Sequence, residues 1–266
     1  MALCDTLITL GSGPDVAVLL HAAGSAPKAL ERLGTALAPH VGRIAIPSFV
    51  RDGRSLIREP GDPEAMRAPV ALATALLEAP PGARRVLVGH SMGGLMGLLA
   101  VQAGARVDAL VLYEPIVLSL LDLADAEDSA AHAFDAAVIA DMRAALARGD
   151  TEAGVARFIE AYGEHPWSRL PPRVRADLIA RGPQLLGEAL ATNGTKLDAQ
   201  RVADIDVPVL VMHGTRSPMV AIRMAKRLGS LLPNAQVQAI DDAGHLGPVS
   251  APDLVAAAIV AFTRRR

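Results

Sequence analysis

Cysteine is nearly absent from this chain, because Cys4 is the only one among its 266 residues. A single cysteine excludes an intramolecular disulfide framework and fits a reducing compartment. The first 14 residues lack the basic segment and the long apolar run of a signal peptide. No uninterrupted apolar run reaches the roughly 18 residues that span a bilayer. We therefore expect a cytoplasmic protein without a membrane segment.

An excess of charge of either sign is missing as well. The chain has 26 lysines and arginines against 28 aspartates and glutamates, a formal net charge of −2, and its arginines are scattered. The closing run, residues 264–266, is three arginines, which is more typical of a solvated helix end than of a nucleic-acid tag. We therefore expect no nucleic-acid partner.

Metal and cofactor motifs are also lacking. The histidines and carboxylates do not show the H-E-x-x-H spacing, and one cysteine cannot form a zinc knuckle. No G-x-G-x-x-G follows the first predicted strand. We therefore expect neither a metal nor a cofactor.

Apolar residues are abundant and follow two patterns. In the first 115 residues, short apolar runs alternate with amphipathic segments, which predicts an α/β fold with a mostly parallel central sheet flanked by helices. From about 117 to 202 the pattern changes to polar-spaced helical segments, at 130–148, 151–162 and 172–179. A strand pattern returns at 207–212. We therefore predict one domain made of residues 1–116 and 203–266, interrupted by a helical insertion, residues 117–202.

The most informative motif is G-x-S-x-G at Gly89, Ser91 and Gly93, between an apolar strand and a small, apolar helix. A serine that holds its hydroxyl clear of a sheet must sit on a sharp, strained turn. The two glycines remove the Cβ atoms that would collide across that turn. The motif therefore predicts a nucleophilic serine. We expect His90, inside the turn, to point away from the pocket and pack.

At this point the chain resembles the α/β-hydrolase family over essentially its whole length. Four landmarks stand in the family's order: a strand ending in His21-Ala22-Ala23-Gly24, the turn at Ser91, a strand ending in His213-Gly214, and Gly244-His245. The resemblance implies an α/β-hydrolase fold in which the insertion is a helical cap (lid) over the serine. It also implies that Ser91 is the nucleophile and His245 its general base.

The acid that orients the histidine is the main departure from the family's pattern. Many members carry an aspartate where this chain has Ser217, which cannot hold a negative charge. Glu114 ends the strand after the serine strand, so it opens onto the same sheet edge as Ser91. Some α/β-hydrolases place the acid there, and we predict Glu114 as the acid and expect Ser217 to matter little. The alternatives are a dyad without an acid or one of two aspartates on the histidine loop, Asp241 and Asp242.

The remaining site residues follow from the same resemblance and from the positions of the few aromatic residues. An oxyanion hole needs two backbone N–H groups, which we assign to Met92, directly after the serine, and Ala23, in the first loop. Aromatic residues are 3% of the chain, yet three of them lie in one stretch of ten residues inside the insertion. Phe158, Tyr162 and Trp167 are therefore predicted to line an apolar substrate pocket, beyond their expected packing of the cap.

These residues together predict a serine hydrolase. We expect it to cleave an ester or thioester of a small apolar substrate through an acyl-enzyme on Ser91. The alternative is a protein of the same fold that binds a small ligand or catalyses a non-hydrolytic step such as a cyclisation.

Overall fold

The computed structural model describes residues 3–58, 60–62 and 64–264. Its centre is a seven-stranded sheet in the order β1-β3-β2-β6-β7-β8-β9, and a separate hairpin pairs β4 with β5. The strands are β1 (Leu7–Leu10), β2 (Val16–Leu20), β3 (Arg43–Pro47), β4 (Val50–Arg51), β5 (Arg54–Ser55), β6 (Arg85–His90), β7 (Ala109–Tyr113), β8 (Val209–Gly214) and β9 (Ala235–Ile240). All neighbours in the large sheet are parallel except β1 and β3. The predicted α/β class with a mostly parallel sheet is confirmed.

The described part of the chain contains eleven α-helices. They are α1 (Glu31–Val41), α2 (Arg67–Leu76), α3 (Met92–Gln102), α4 (Ala126–Ala147), α5 (Thr151–Tyr162), α6 (Pro172–Ala180), α7 (Gly182–Gly194), α8 (Ala199–Ala203), α9 (Met219–Leu231), α10 (Gly247–Ser250) and α11 (Pro252–Arg264). Short 3₁₀ turns occupy Pro27–Leu30, Leu118–Leu120 and Trp167–Arg169. None of the described helices is long and apolar enough to cross a membrane.

The central strands are apolar on both faces because helices cover both sides of the sheet. Strands β2, β7 and β8 are buried at every residue. Alternate side chains of β2 enter different cores, since Ala17 and Leu19 pack with α1 and α11, whereas Val16 and Val18 pack with α2, α3 and α9. This double covering explains the continuous apolar runs in the sequence.

The insertion contains helices and 3₁₀ turns, and no strand lies between β7 and β8 in the described chain. Helices α4 and α5 begin at aspartate N-caps, Asp125 and Asp150, whose carboxylates accept backbone N–H groups of the first turn. Arg223 on α9 forms ion pairs with Asp125, Glu127 and Asp128, which tie the start of α4 to the sheet domain. The insertion is therefore attached to the core at its entry point.

Several elements differ from the sequence-based expectation. The antiparallel edge strand β1, the β4–β5 hairpin, α7 and α8 were not predicted. The sequence pattern predicts a helix over 63–77, whereas α2 begins at Arg67, and position 63 lies outside the described residues. Of the terminal arginines, positions 265 and 266 also lie outside them.

Candidate active site

Ser91 sits on a turn in which several nearby positions have room only for glycine. Its φ of 56° and ψ of −118° are a strained, left-handed conformation between β6 and α3. A Cβ on Gly89 would collide with the backbone of Gly93, and one on Gly93 would collide with the carbonyl of Leu20. A Cβ on Gly94 would lie 2.7 Å from Pro115. The spacing of the motif is therefore a steric requirement of the turn.

Three predicted residues meet at the carboxyl edge of the sheet. The Nε2 atom of His245 lies 3.2 Å from Ser91 Oγ, and its Nδ1 atom lies 2.7 Å from Glu114 Oε2. All three side chains are buried, and Glu114 is 0% exposed. Since an ionised carboxylate only accepts, His245 donates from Nδ1 and leaves Nε2 free to accept the serine proton.

The carboxylate of Glu114 has a dedicated set of donors. Its Oε1 atom accepts the backbone N–H of Gly214 at 2.7 Å and the hydroxyl of Ser217. Ser217 thus holds Glu114 in place, and the expectation that Ser217 matters little is revised. Glu114 itself has a φ of 46°, a second strained residue at this edge.

The two rival aspartates do not contact the imidazole. Asp241 and Asp242 are exposed on the loop after β9, and the Nδ1 atom of His245 is hydrogen-bonded to Glu114 instead. A longer glutamate side chain reaches from β7 to the position beside the histidine. The structure therefore brings together Ser91, His245 and Glu114.

The backbone around His245 is fixed by three buried or half-buried side chains. The Tyr113 hydroxyl donates to the carbonyl of Gly244 at 2.7 Å, and Glu164 accepts the N–H of Gly244 at 3.2 Å. The ring of His90 donates from Nε2 to the carbonyl of His245 at 2.8 Å. Burial and the nearby His245 lower the pKa of His90 to about 3, so His90 is neutral. His90 therefore holds the histidine loop, a role beyond the packing expected for it.

The proposed oxyanion donors lie beside Ser91 on two different elements. Met92 is the first residue of α3, where N–H groups lack intrahelical partners and the helix dipole favours negative charge. Ala23 lies in the loop after β2, and both residues line the cavity at Ser91. His21, which precedes this loop, is bonded through Nδ1 to the carbonyl of Ala22 at 2.9 Å. Burial lowers the pKa of His21 to about 4, so this ring is also neutral.

Two cavities share Ser91, His245, Phe158 and Tyr162. The larger has a volume of about 440 Å³ and is lined mostly by apolar side chains, among them Leu170, Val174, Leu178 and Leu185. The smaller has a volume of about 30 Å³ and is lined in part by residues of the insertion, among them Ile139, Asp135, Thr192 and Asn193. The Tyr162 ring lies 5.4 Å from the His245 ring, between centroids. A larger surface groove of about 1010 Å³ runs along α2 and contains neither Ser91 nor His245.

Trp167 is the one predicted pocket residue that the structure places elsewhere. It is buried among the helices of the insertion with Met142, Val155 and Leu185, and its indole N–H donates to Glu152 at 3.1 Å. It lines neither cavity at Ser91. The 3₁₀ turn after α5 carries Trp167 away from the face that Phe158 and Tyr162 present to the serine, so the prediction for Trp167 is corrected.

Besides Asp128, which pairs with Arg223, the insertion holds two buried carboxylates, and sequence reasoning missed both. Asp135 accepts hydrogen bonds from the Tyr162 hydroxyl and from the Asn193 amide, the latter at 2.5 Å. Glu188 accepts the N–H of Gly24 at 2.6 Å. Burial raises the pKa of both carboxyl groups. No group of three or more His, Cys, Asp or Glu residues suited to a metal occurs among the described residues.

A family model of the alpha/beta hydrolase fold matches residues 58–252. The chain therefore belongs to the α/β-hydrolase family, as its resemblance predicted, and has that family's fold.

Solved structures of similar fold cover nearly the whole chain. An alpha/beta hydrolase from Sphaerobacter thermophilus is 24% identical with a TM-score of 0.69, over 97% of this chain and 95% of that one. An esterase from Exiguobacterium antarcticum is 17% identical with a TM-score of 0.70, over 97% and 94%. MenH from S. aureus is 17% identical with a TM-score of 0.73, over 98% of each chain. At these identities the likeness shows the fold alone.

Proposed function

We propose that this protein is a serine hydrolase that cleaves an ester or thioester of a small apolar substrate through an acyl-enzyme on Ser91. The observation that carries the proposal is the pair of hydrogen bonds that joins Ser91 to His245 and His245 to Glu114. A serine hydroxyl is a weak nucleophile unless a base accepts its proton and a third group orients that base. The two distances support both conditions.

The proposed reaction begins when Ser91 Oγ attacks the carbonyl carbon and His245 Nε2 takes the hydroxyl proton. Glu114 stabilises the imidazolium that forms, while the N–H groups of Met92 and Ala23 donate to the developing oxyanion. Collapse of the tetrahedral intermediate expels the alcohol or thiol, which takes its proton from His245. Water, deprotonated by His245, then attacks the acyl carbonyl and releases the acid and Ser91.

The two cavities support a substrate with unequal halves. A space of about 30 Å³ admits only a small group on one side of the scissile bond. A space of about 440 Å³ with apolar walls suits a longer apolar chain on the other side. We therefore propose an ester in which one part is short and the other is longer and apolar.

The decisive screen measures kcat/KM with p-nitrophenyl and thioester acyl series on wild type and on Ser91→Ala. We expect turnover of several members by wild type, with a clear chain-length preference, and none by Ser91→Ala. A matching series in which the alcohol part varies identifies which half of the substrate enters the small cavity. Equal turnover by Ser91→Ala would contradict the proposal.

The alternative of a ligand-binding or non-hydrolytic protein was favoured by the serine at position 217. Because Glu114 lies within hydrogen-bonding distance of His245, that observation no longer supports it. A fluorophosphonate probe separates the two functions, since an activated Ser91 reacts with the probe and a vestigial site does not. We expect labelling of wild type at Ser91.

A further inference from the structure

Two side chains of the cap hold both backbone polar groups of Gly24. The N–H of Gly24 donates to Glu188 Oε2 at 2.6 Å, and its carbonyl accepts Arg181 Nη1 at 2.7 Å. Gly24 has a φ of +65°, and a Cβ there would lie 2.7 Å from Leu185 Cδ1. The loop after β2 is thus fastened to α7 and to the residue that precedes it.

The contact between Glu188 and Gly24 lies inside the protein. Glu188 is 4% exposed, and its second oxygen accepts the side-chain amide of Gln184 at 2.8 Å. A buried carboxylate is costly unless its oxygens are paired, and a charge-assisted hydrogen bond to a backbone N–H is stronger than a neutral one. The guanidinium of Arg181 adds a positive charge on the other side of the same glycine. Removing Glu188 would therefore release the loop.

Gly24 directly follows Ala23, whose N–H is one of the two proposed oxyanion donors. We propose that Glu188 is a positioning residue, which together with Arg181 aims the Ala23 N–H at the reacting carbonyl oxygen. The cap then completes the oxyanion hole in addition to covering the substrate, so a displaced cap leaves Met92 as the remaining donor. The inference rests on the proposed function. A shift of about 1 Å in a catalytic group can cost about 100-fold in rate.

The test compares Glu188→Ala and Glu188→Gln with wild type. Asp141→Ala is the control, because Asp141 is a cap carboxylate that pairs with Arg157 on the surface, away from Gly24. We expect Glu188→Ala to lower kcat by about 10- to 100-fold, part of the loss seen when an oxyanion donor is deleted. KM should stay within about threefold, since the donor acts mainly in the transition state. Glu188→Gln keeps an oxygen that can accept from Gly24 and should restore most of kcat.

A second readout reports the oxyanion hole itself. An alkyl boronic acid that bonds to Ser91 places a negative oxygen where the reaction's oxyanion forms. Its inhibition constant should rise in Glu188→Ala by the same factor by which kcat falls. In Asp141→Ala the inhibition constant should equal that of wild type. Thermal melting shows whether each variant is folded, and if Glu188→Ala is not, Arg181→Ala is measured in its place with the same expectation.

Two results overturn the inference alone. The first is a folded variant with wild-type kcat, and the second is a rise in KM with kcat and boronic acid affinity unchanged, which would make Glu188 a pocket residue. Failure of wild type to react with a fluorophosphonate at Ser91 is a different result, because it overturns the proposed function on which the inference depends.

Discussion

Replacing Glu114 by glutamine changes one atom beside the candidate base and little else. The Oε1 atom of Glu114 already accepts the Gly214 N–H and the Ser217 hydroxyl, so the oxygen of a glutamine would stay at that position. Its amide nitrogen would then face His245 Nδ1, where Glu114 Oε2 lies at 2.7 Å. Two donors cannot bond to each other, so His245 would turn to the tautomer that carries its proton on Nε2.

The expected loss is large because that tautomer cannot accept the proton of Ser91. An equivalent change in a serine protease lowers kcat by about 10⁴-fold, or about 5 kcal/mol of transition-state stabilisation. We expect Glu114→Gln to lower kcat by about 10³- to 10⁴-fold. Ser217→Ala removes one donor from Glu114 and keeps its charge, so it should lower kcat by only about 10-fold. That factor corresponds to about 1.4 kcal/mol, close to the lower end of the roughly 1.5–3 kcal/mol for one hydrogen bond to a charged group.

The assay is steady-state hydrolysis of the best p-nitrophenyl ester, with thermal melting as the check on folding. A second variant tests the chemistry further, since adding Ser217→Asp to Glu114→Gln returns a carboxylate to the place where many family members carry it. That double variant should recover at least about 10-fold of the lost kcat, because an orienting carboxylate is restored. A folded Glu114→Gln protein with kcat within about threefold of wild type would refute the reasoning.

Two further predictions concern the pocket and pH. Ile139→Ala enlarges the small cavity and should raise kcat/KM by about 10-fold for esters with one or two more carbons on their short side, measured relative to the wild-type series; an unchanged chain-length profile would contradict this use of the cavity. Burial lowers the pKa of His90 from 6.5 to about 3. Below about pH 6.5 the unfolded chain therefore binds a proton at this residue that the folded chain does not bind, so the free energy of unfolding falls as the pH drops toward 3. At pH 5 this lowers the free energy of unfolding by about 2 kcal/mol relative to pH 7. Urea unfolding at both pH values should therefore show a smaller pH dependence for His90→Gln than for wild type, and equal dependence would contradict the assignment.

The sheet edge was predictable because its residues are fixed by sterics and by topology. The glycines around Ser91 are required by the turn, and strand ends in a parallel sheet open onto one edge, which led from Ser91 to Glu114. Helix α5 was predicted with its observed bounds, because a clear amphipathic pattern begins after Asp150. Signals of this kind can be recognised from a short stretch of sequence alone.

The missing parts depend on contacts between distant residues. Strand β1 is short and half exposed at the sheet edge, so its pairing with β3 left no strong pattern. Glu188 and Gly24 are 164 residues apart, and nothing near either one indicates their hydrogen bond. Trp167 is close in sequence to Tyr162, yet a 3₁₀ turn separates their directions. Reasoning from sequence proximity within the insertion therefore assigned one aromatic residue wrongly, and it could not find the buried carboxylates.

The most direct test of the account is to trap the covalent intermediate. Wild type is quenched in acid during turnover of a p-nitrophenyl ester, and the intact protein and its peptides are weighed by mass spectrometry beside Ser91→Ala. The account predicts a mass increase equal to the acyl group on the peptide that contains Ser91, and none in the variant. Turnover with the acyl group on another residue, or with most activity retained by a folded Ser91→Ala protein, would contradict it.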